Sequence, residues 1–529
     1  MNFRQMISLA IALTMVAALV ACSSSSSTTK TPPPPPPILA AGNYVFSVAG
    51  TDSGAGGSSA TPSSGTSYFA AGVITVTASG NITGEMSFSD WNYYAQEPIT
   101  SGTVAVNPAD TNVLITVNTG DANIGPGGAT GAGTGTLVFS AAMASSTRGL
   151  LTEYDSWATS VGELNAQTST AALCPTAPCG YAIYLGGIDG ANAFPMGIGG
   201  VITIDGASGA ISGAGSVFDE NDAGGLSPAN AVSASSVSAP DSMGYVTITI
   251  NSPSIAASPG VILDGYIVDA NHIRLVENWY TDYLAGTTGG TALAQTGTGA
   301  FTTASISGGT YVVGMPGADP GGPLQVAAMI TFNADGTVGG NWSFNDIGTQ
   351  SPQGGTTITG GTWADDGTGE GRVILTGVTD GVTFSSNLTL YETGDGHATV
   401  VAMDNSDVLV GPGYAQASSL GVSTLTGNYT LDVNQFSSSV EFDGDGQVTA
   451  NAAALSLTGF TDQNGSLVGA GLAPNSPLNA TYSGSGSSPI ISITGGGGSM
   501  FTLYLIDGTQ GVVIENDNAQ LSLGYVTNK

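Results

Sequence analysis

The sequence predicts an all-β protein built from about four tandem antiparallel domains, and three observations carry that reading. Glycine supplies 80 of 529 residues, which implies many turns, while helix-forming runs rich in Leu, Glu and Lys are missing. A Gly-x-Tyr or Gly-Tyr opening occurs four times, at Tyr44, Tyr181, Tyr311 and Tyr429, at spacings the size of domains rather than of solenoid repeats. Each opening is followed by an alternating strand, a glycine turn and a second alternating strand.

The alternation is strict. Ile74/Val76, Ile202/Ile204, Ile330/Phe332 and Val440/Phe442 share one face, with Thr75, Thr203, Thr331 and Glu441 on the other. Period two with one apolar face marks a half-buried antiparallel strand. The turn that follows is expected at Gly80, Gly209, Gly336 or Gly446, where glycine supplies the positive φ of a short hairpin. Each unit then closes on an apolar strand bearing an acid (Glu153, Glu277, Asp404, Glu515), read as solvated or bonded to its hairpin. Three units finish on Ala-Gln, at Ala166-Gln167, Ala294-Gln295 and Ala415-Gln416. The third unit holds about eight strand candidates, spaced as an antiparallel meander. That suits a small up-and-down, lipocalin-like barrel, with a two-sheet β-sandwich as the alternative.

Before these units comes an export segment. Arg4 precedes an apolar run too short for an ordinary membrane span, ending in Leu19-Val20-Ala21-Cys22. This stretch resembles the lipobox of bacterial lipoproteins, in which the cysteine is acylated and becomes the new N-terminus. The resemblance implies a signal peptide over 1–21, lipidation of Cys22 and, with Ser23 next, an outer-membrane anchor facing the periplasm or the cell surface. Residues 22–41 then read as a tether, flexible through the Ser/Thr run and semi-rigid through Pro32–Pro37. The β units follow over 42–170, 171–304, 305–420 and 421–529. The whole resembles the tandem-repeat lipoproteins of unknown function found in soil bacteria, which share G-x-Y-x-F openings, glycine-rich hairpins and G-x-A-x-x-Q endings. Their basic G-R-G-T step survives loosely as Gly371-Arg372, and the fourth unit lacks the terminal glutamine.

Composition narrows the function. Six Lys+Arg face 38 Asp+Glu, a formal charge of −32, and such a surface repels nucleic acid and anionic lipid heads. The membrane partner expected is therefore the lipid anchor alone. Cys174 and Cys179 are the two ends of a six-residue loop with two prolines and are expected to form a disulfide in an oxidising compartment, a metal site being the competing reading. His272 and His397 read as exposed hairpin histidines. The acidic and Asn/Gly runs at Asp219–Asp222, Asn333–Gly336 and Asp443–Gly446 read as turn chemistry rather than calcium loops, because Ala454 stands at the twelfth position from Asp443 where a calcium loop needs a carboxylate. No catalytic motif, cofactor motif or metal motif is present, and a carboxylate-based glycoside hydrolase is the one enzymatic exception left open. Two aromatic clusters, Trp91/Tyr93/Tyr94 and Trp279/Tyr280/Tyr283, are candidate ligand contacts, whereas Trp342 falls on a core face. The expected function is a surface-anchored, non-catalytic structural or interaction protein with a glycan or surface protein as partner. The alternative is a binder of small apolar or carbohydrate ligands inside its barrels.

Overall fold

The computed structural model describes residues 39–529 apart from 54–65, 92, 128–132, 191–193, 224, 254–255, 279–285, 297–300, 347–351, 438–439, 468–469 and 519. Cys22 and the tether up to residue 38 lie outside the described residues. The rest is β-structure in four antiparallel sheets, with a single-turn helix, Thr303–Ile306, between the second and third.

Each sheet is an up-and-down antiparallel barrel of eight strands, counting a broken fourth strand as one, closed in the second and fourth units and nearly closed in the first and third. The first runs through Gly42–Asp52, Thr66–Val76 and Ile82–Asp90 to a broken fourth strand, Tyr94–Ile99 with Ser101–Val106. It returns through Val113–Asn118, Thr136–Met143, Arg148–Glu153 and Ala158–Ala166. The other sheets begin at Cys179–Ile188, Thr310–Asp319 and Gly427–Ser437 and end at Thr287–Ala294, Val408–Ala415 and Leu521–Asn528. The fourth strand is broken again in the second and third units and continuous, Gly471–Ser483, in the last. The fourth barrel is closed, and the second closes because Ala210–Asp222 pairs with strands on both sides. In the first and third, single bridges (Asn81 to Thr103, Thr337 to Thr362) nearly complete the circle.

The sandwich alternative is excluded by the seam, because first and last strands pair in every unit. Tyr44 lies opposite Ala166, Tyr181 opposite Ala294 and Tyr311 opposite Ala415, so the opening and closing motifs face each other across that seam. The tyrosine hydroxyls of three units reach main-chain oxygens of the penultimate hairpin: Ser146 from Tyr44, Ala270 from Tyr181 and Gly508 from Tyr429. Barrel interiors are filled with side chains. Tyr68, Phe88 and Trp157 stack in the first; in the third, Trp342 is 2% exposed and sits edge-on to Phe384. Each such fully buried large side chain stabilises by about 1.5–3 kcal/mol.

Two local expectations need correction. Gly80, Gly209 and Gly336 do sit in turns with positive φ, but Gly446 does not. Val440–Asn451 is one strand, and the chain turns at 452–455, where Leu455 takes φ 50°. Asp443 and Asp445 are held in that strand by pairing to both neighbours, opposite Asn434 and Asp432 on one side and Asn464 and Asp462 on the other. The strands at each seam are also not half-buried. Val45 and Val73, on the outward face, are as buried as Tyr44 and Ile74 on the inward one, because a neighbouring barrel covers them.

Candidate functional site

The four barrels form a closed ring. Outward faces of barrels one and two meet around Val45, Val73, Tyr266 and Val276; two and three around Ala182, Tyr391, Val401 and Val410; three and four around Val312, Ala327, Tyr504 and Ile514. Barrel four then packs against barrel one through Val440–Asn451 and Ala158–Ala166. Glycine makes the approach possible: a Cβ on Gly289 would lie 2.4 Å from the Phe69 ring, and one on Gly314 would lie 2.8 Å from the Tyr525 hydroxyl. The closing glutamines join consecutive barrels. Gln167 donates to the carbonyls of Met243 and Ile267, Gln295 to those of Glu370 and Glu392, and Gln416 to that of Leu505, all within 2.8 Å.

A second recurrent clamp escaped the sequence reading. Asn221, Asn345 and Asn464, near the end of the third strand of their barrels, each donate to three main-chain oxygens in the last hairpin loop of the next barrel round the ring. For Asn464 that next barrel is the first, so the clamp runs round the closure. Ser89 occupies the corresponding place in barrel one. The signal was an Asn at the same strand position in three units, hidden by the variable residues around it.

The fourth interface differs in chemistry. Asp443 accepts from Thr159 at 2.8 Å, Glu441 accepts from Thr51, and Asp445 and Asp462 share the donors Asn112 and Ser140. Burial raises the pKa of Glu441, Asp443 and Asp445, and neighbouring acids raise it further. Among the described residues no group of three or more His, Cys, Asp or Glu side chains is placed to hold a metal ion.

Between the barrels, outward-facing residues of the four seams line an open cavity of about 1190 Å³. Every barrel contributes to its wall, for example Glu163, Arg274, Tyr414 and Asp432 from barrels one to four. Arg274 donates to Glu163 at 2.7 Å and to Thr291 at 2.9 Å, while Arg148 stands 3.8 Å from Glu163. Burial alone would raise the Glu163 pKa, but the two guanidinium groups outweigh it and hold the carboxyl down at about 2. Asp432 is pushed up to about 7 by burial, against a hydrogen bond from the Tyr525 amide. Burial also raises the Tyr414 phenol.

Both histidines of the chain reach this wall. They stand on hairpins, as read from sequence, but not independently: their rings lie 6.4 Å apart, edge to face, across the junction of barrels two and three. His272 is held by Asp269 at 2.9 Å and His397 by Asp395 at 3.0 Å. The disulfide between Cys174 and Cys179 is formed, in the segment leading into barrel two. Tyr93 donates to Asp121 within barrel one, and Tyr94 donates across the interface to Asp264 of barrel two. Trp91 is half-buried beside them. Trp279, Tyr280 and Tyr283 lie outside the described residues. The recurring acids are bonded to hairpins rather than solvated. Glu153, Glu277 and Glu515 are buried and accept from Tyr68, Thr288 and Ser522, while Asp404 accepts from Ser386 and Ser406.

No protein-family profile and no curated protein matches the sequence. Among solved structures, a protein of unknown function from the DUF3598 family of Nostoc punctiforme aligns at 11% identity over 41% of this chain and 94% of that one, with a TM-score of 0.15. Transferrin-binding protein B of Neisseria meningitidis aligns at 8% identity over 71% and 76%, TM-score 0.19. The same protein from Haemophilus parasuis aligns at 8% identity over 96% and 98%, TM-score 0.18. Such values support no inference about this chain.

Proposed function

We propose that this chain is a lipid-anchored envelope protein, non-catalytic, that binds a small molecule in the cavity shared by its four barrels. The observation that carries the reading is the cavity itself, where two arginines and both histidines of a strongly acidic chain converge. Ligand sites of this size combine apolar walls with a few convergent polar groups. The barrel interiors are occupied by their own side chains, so the binding site of the alternative sequence reading moves from within the barrels to between them. The non-catalytic part is supported by the recurring acids, each of which is bonded to its own barrel. Anchoring is supported by the Leu19–Cys22 motif.

Extraction of freshly purified native protein, followed by mass spectrometry of released small molecules, tests the binding half. A stoichiometric compound is expected, and its absence from both native protein and ligand-library screens would count against the reading. For the anchor, Cys22→Ser should abolish fatty-acid labelling and membrane retention together. Unchanged fractionation of that variant would remove the lipoprotein assignment.

A further inference from the structure

The described body contains four Arg and Lys side chains, and three of them are committed. Arg372 is locked on Asp219, Arg274 on Glu163 and Thr291, and Lys529 on Gln447. Arg148 is the exception. Among the described residues its guanidinium makes no hydrogen bond, and its one ion pair is the long 3.8 Å approach to Glu163. That carboxylate already serves Arg274 and Asn165. Arg148 is 34% exposed and lies on the cavity wall. A guanidinium offers five donors in a planar fork and is matched by a carboxylate or a similar oxyanion.

The wall changes character along the barrel axes. Arg148 begins the seventh strand of barrel one, at the end where the four opening tyrosines stand, opposite Asn165. At the far ends of the same seams the apolar side chains Ile188, Phe194, Met196, Val408 and Phe436 line it together with Asp319, Asp404, Asp407 and Glu441, and burial raises the carboxyls of Asp407, to about 9, and of Glu441. Strand length separates the two ends by roughly 20–25 Å. Phe194 is 45% exposed, a large apolar side chain left uncovered at that end.

We propose that the cavity takes an amphipathic acid, with its anionic head on Arg148 and its apolar tail running towards Phe194 and Phe436. This deepens the binding reading above and rests on it. Local charge favours the head: Arg148 and Arg274 share Glu163, and the neighbouring Asp432 has a carboxyl that burial keeps partly protonated at neutral pH. Asp269 and Asp395, the other acids at this end, are each taken up by a histidine. A neutral polar ligand would leave the Arg148 fork unmatched, and a small inorganic anion would leave the apolar end uncovered.

The test uses the full chain carrying Cys22→Ser, so that no detergent is needed. Calorimetric titration with decanoate, kept below its micellar concentration, is compared with decan-1-ol, each against the same chain with and without Arg148→Gln. One decanoate per chain is expected, with affinity falling at least tenfold in Arg148→Gln, while decan-1-ol binds both proteins alike. An unchanged melting curve shows that the variant is folded. Equal decanoate affinity in the two proteins overturns the head assignment, and if decan-1-ol still binds, the cavity reading stands. Uptake of many decanoate molecules without saturation also overturns the proposal. Absence of binding by either probe overturns both.

Discussion

The side-chain amide of Asn464 donates to the main-chain oxygen of Ala158 at 2.6 Å, joining residues 306 positions apart. The same amide reaches the oxygens of Glu153 and Asp155 at 2.7 and 3.1 Å. It thereby ties the fourth barrel to the first where no peptide linker does so. Asn464→Ala leaves buried carbonyls without a donor, each costing about 1–3 kcal/mol. A loss near 3 kcal/mol is expected in urea unfolding, with faster amide exchange over 153–158. Asn464→Asp should be worse, because it sets a carboxylate against three carbonyl oxygens. A variant as stable as the parent would mean that the ring does not depend on this clamp.

The antiparallel meander was legible because Ile74/Val76 and their counterparts alternate, but barrel and sandwich share that alternation, and only the pairing of first and last strands separates them. The motifs at Tyr44 and Ala166 were visible too, but not their opposition, since pairing of first and last strands is a long-range property. The ring was hidden for a related reason. Its contacts use the outward faces, where Val45 on the first strand and Phe69, Ala71 and Val73 on the second stand at positions that the alternation leaves to polar residues. Asp443-Gly-Asp-Gly446 misled because a buried polar strand and a tight turn draw on the same residues. Nothing local distinguishes Thr159, far away in sequence, as the partner that keeps Asp443 in a strand.

Arg372, flagged in sequence only as a remnant of a motif step, spans the second and third barrels. It meets Asp219 through two hydrogen bonds of 2.7 and 2.8 Å, with the Tyr391 hydroxyl on the same carboxylate. Asp219 is fully buried. Arg372→Met strands that charge and should cost about 3–5 kcal/mol in chemical denaturation. Adding Asp219→Leu removes the stranded charge, and most of the loss should return. If the double variant is no more stable than Arg372→Met, the pair is not the source of the effect.

Stability should fall as pH rises above about 5. Burial, opposed by hydrogen bonds from Trp157, Val138 and Ala158, lifts Asp155 to about 6; burial with Asp462 beside it lifts Asp110 to about 7. Such a carboxyl takes up a proton on folding between its unfolded value of about 4 and its folded value. Its contribution is therefore full at low pH and is lost as pH climbs through the folded value. Glu163, held down at about 2, acts in the opposite sense, and its contribution is lost only as pH falls below about 4. Calorimetry from pH 3 to 9 should place the highest Tm near pH 4–5, with the decline running from there to about pH 7. Asp445→Asn should flatten that decline, because it replaces a buried acid at the closing interface whose Oδ1 has no hydrogen-bond partner. A Tm that climbs from pH 5 to 8 would contradict the assignment of protonated acids to this interface.

The third barrel, cut out as residues 306–417, should fold and yet fail to stay monomeric. Its interior is self-sufficient, with Trp342, Phe344, Phe332 and Trp363 meeting one another and Phe384 inside the sheet. Its outer faces are not. Excision uncovers Val312 and Ala327, which barrel four covers, and Tyr391, Val401 and Val410, which barrel two covers. It also leaves Arg372 without Asp219 and Gln416 without the Leu505 carbonyl. Contiguous apolar patches on two sides of a small domain drive association, and these two sides are the ones that join head to tail in the ring. A β-type circular dichroism spectrum with a cooperative melt is therefore expected, together with a light-scattering mass that rises with concentration. Val312→Lys combined with Val401→Lys, one charge on each patch, should return the fragment to a monomer without lowering its melting temperature by more than a few degrees. An unfolded fragment would show that the barrels depend on one another for folding. A fragment that stays monomeric without the two lysines would show that these faces are too weakly apolar to hold the ring, and would throw its stability back on the asparagine and glutamine clamps.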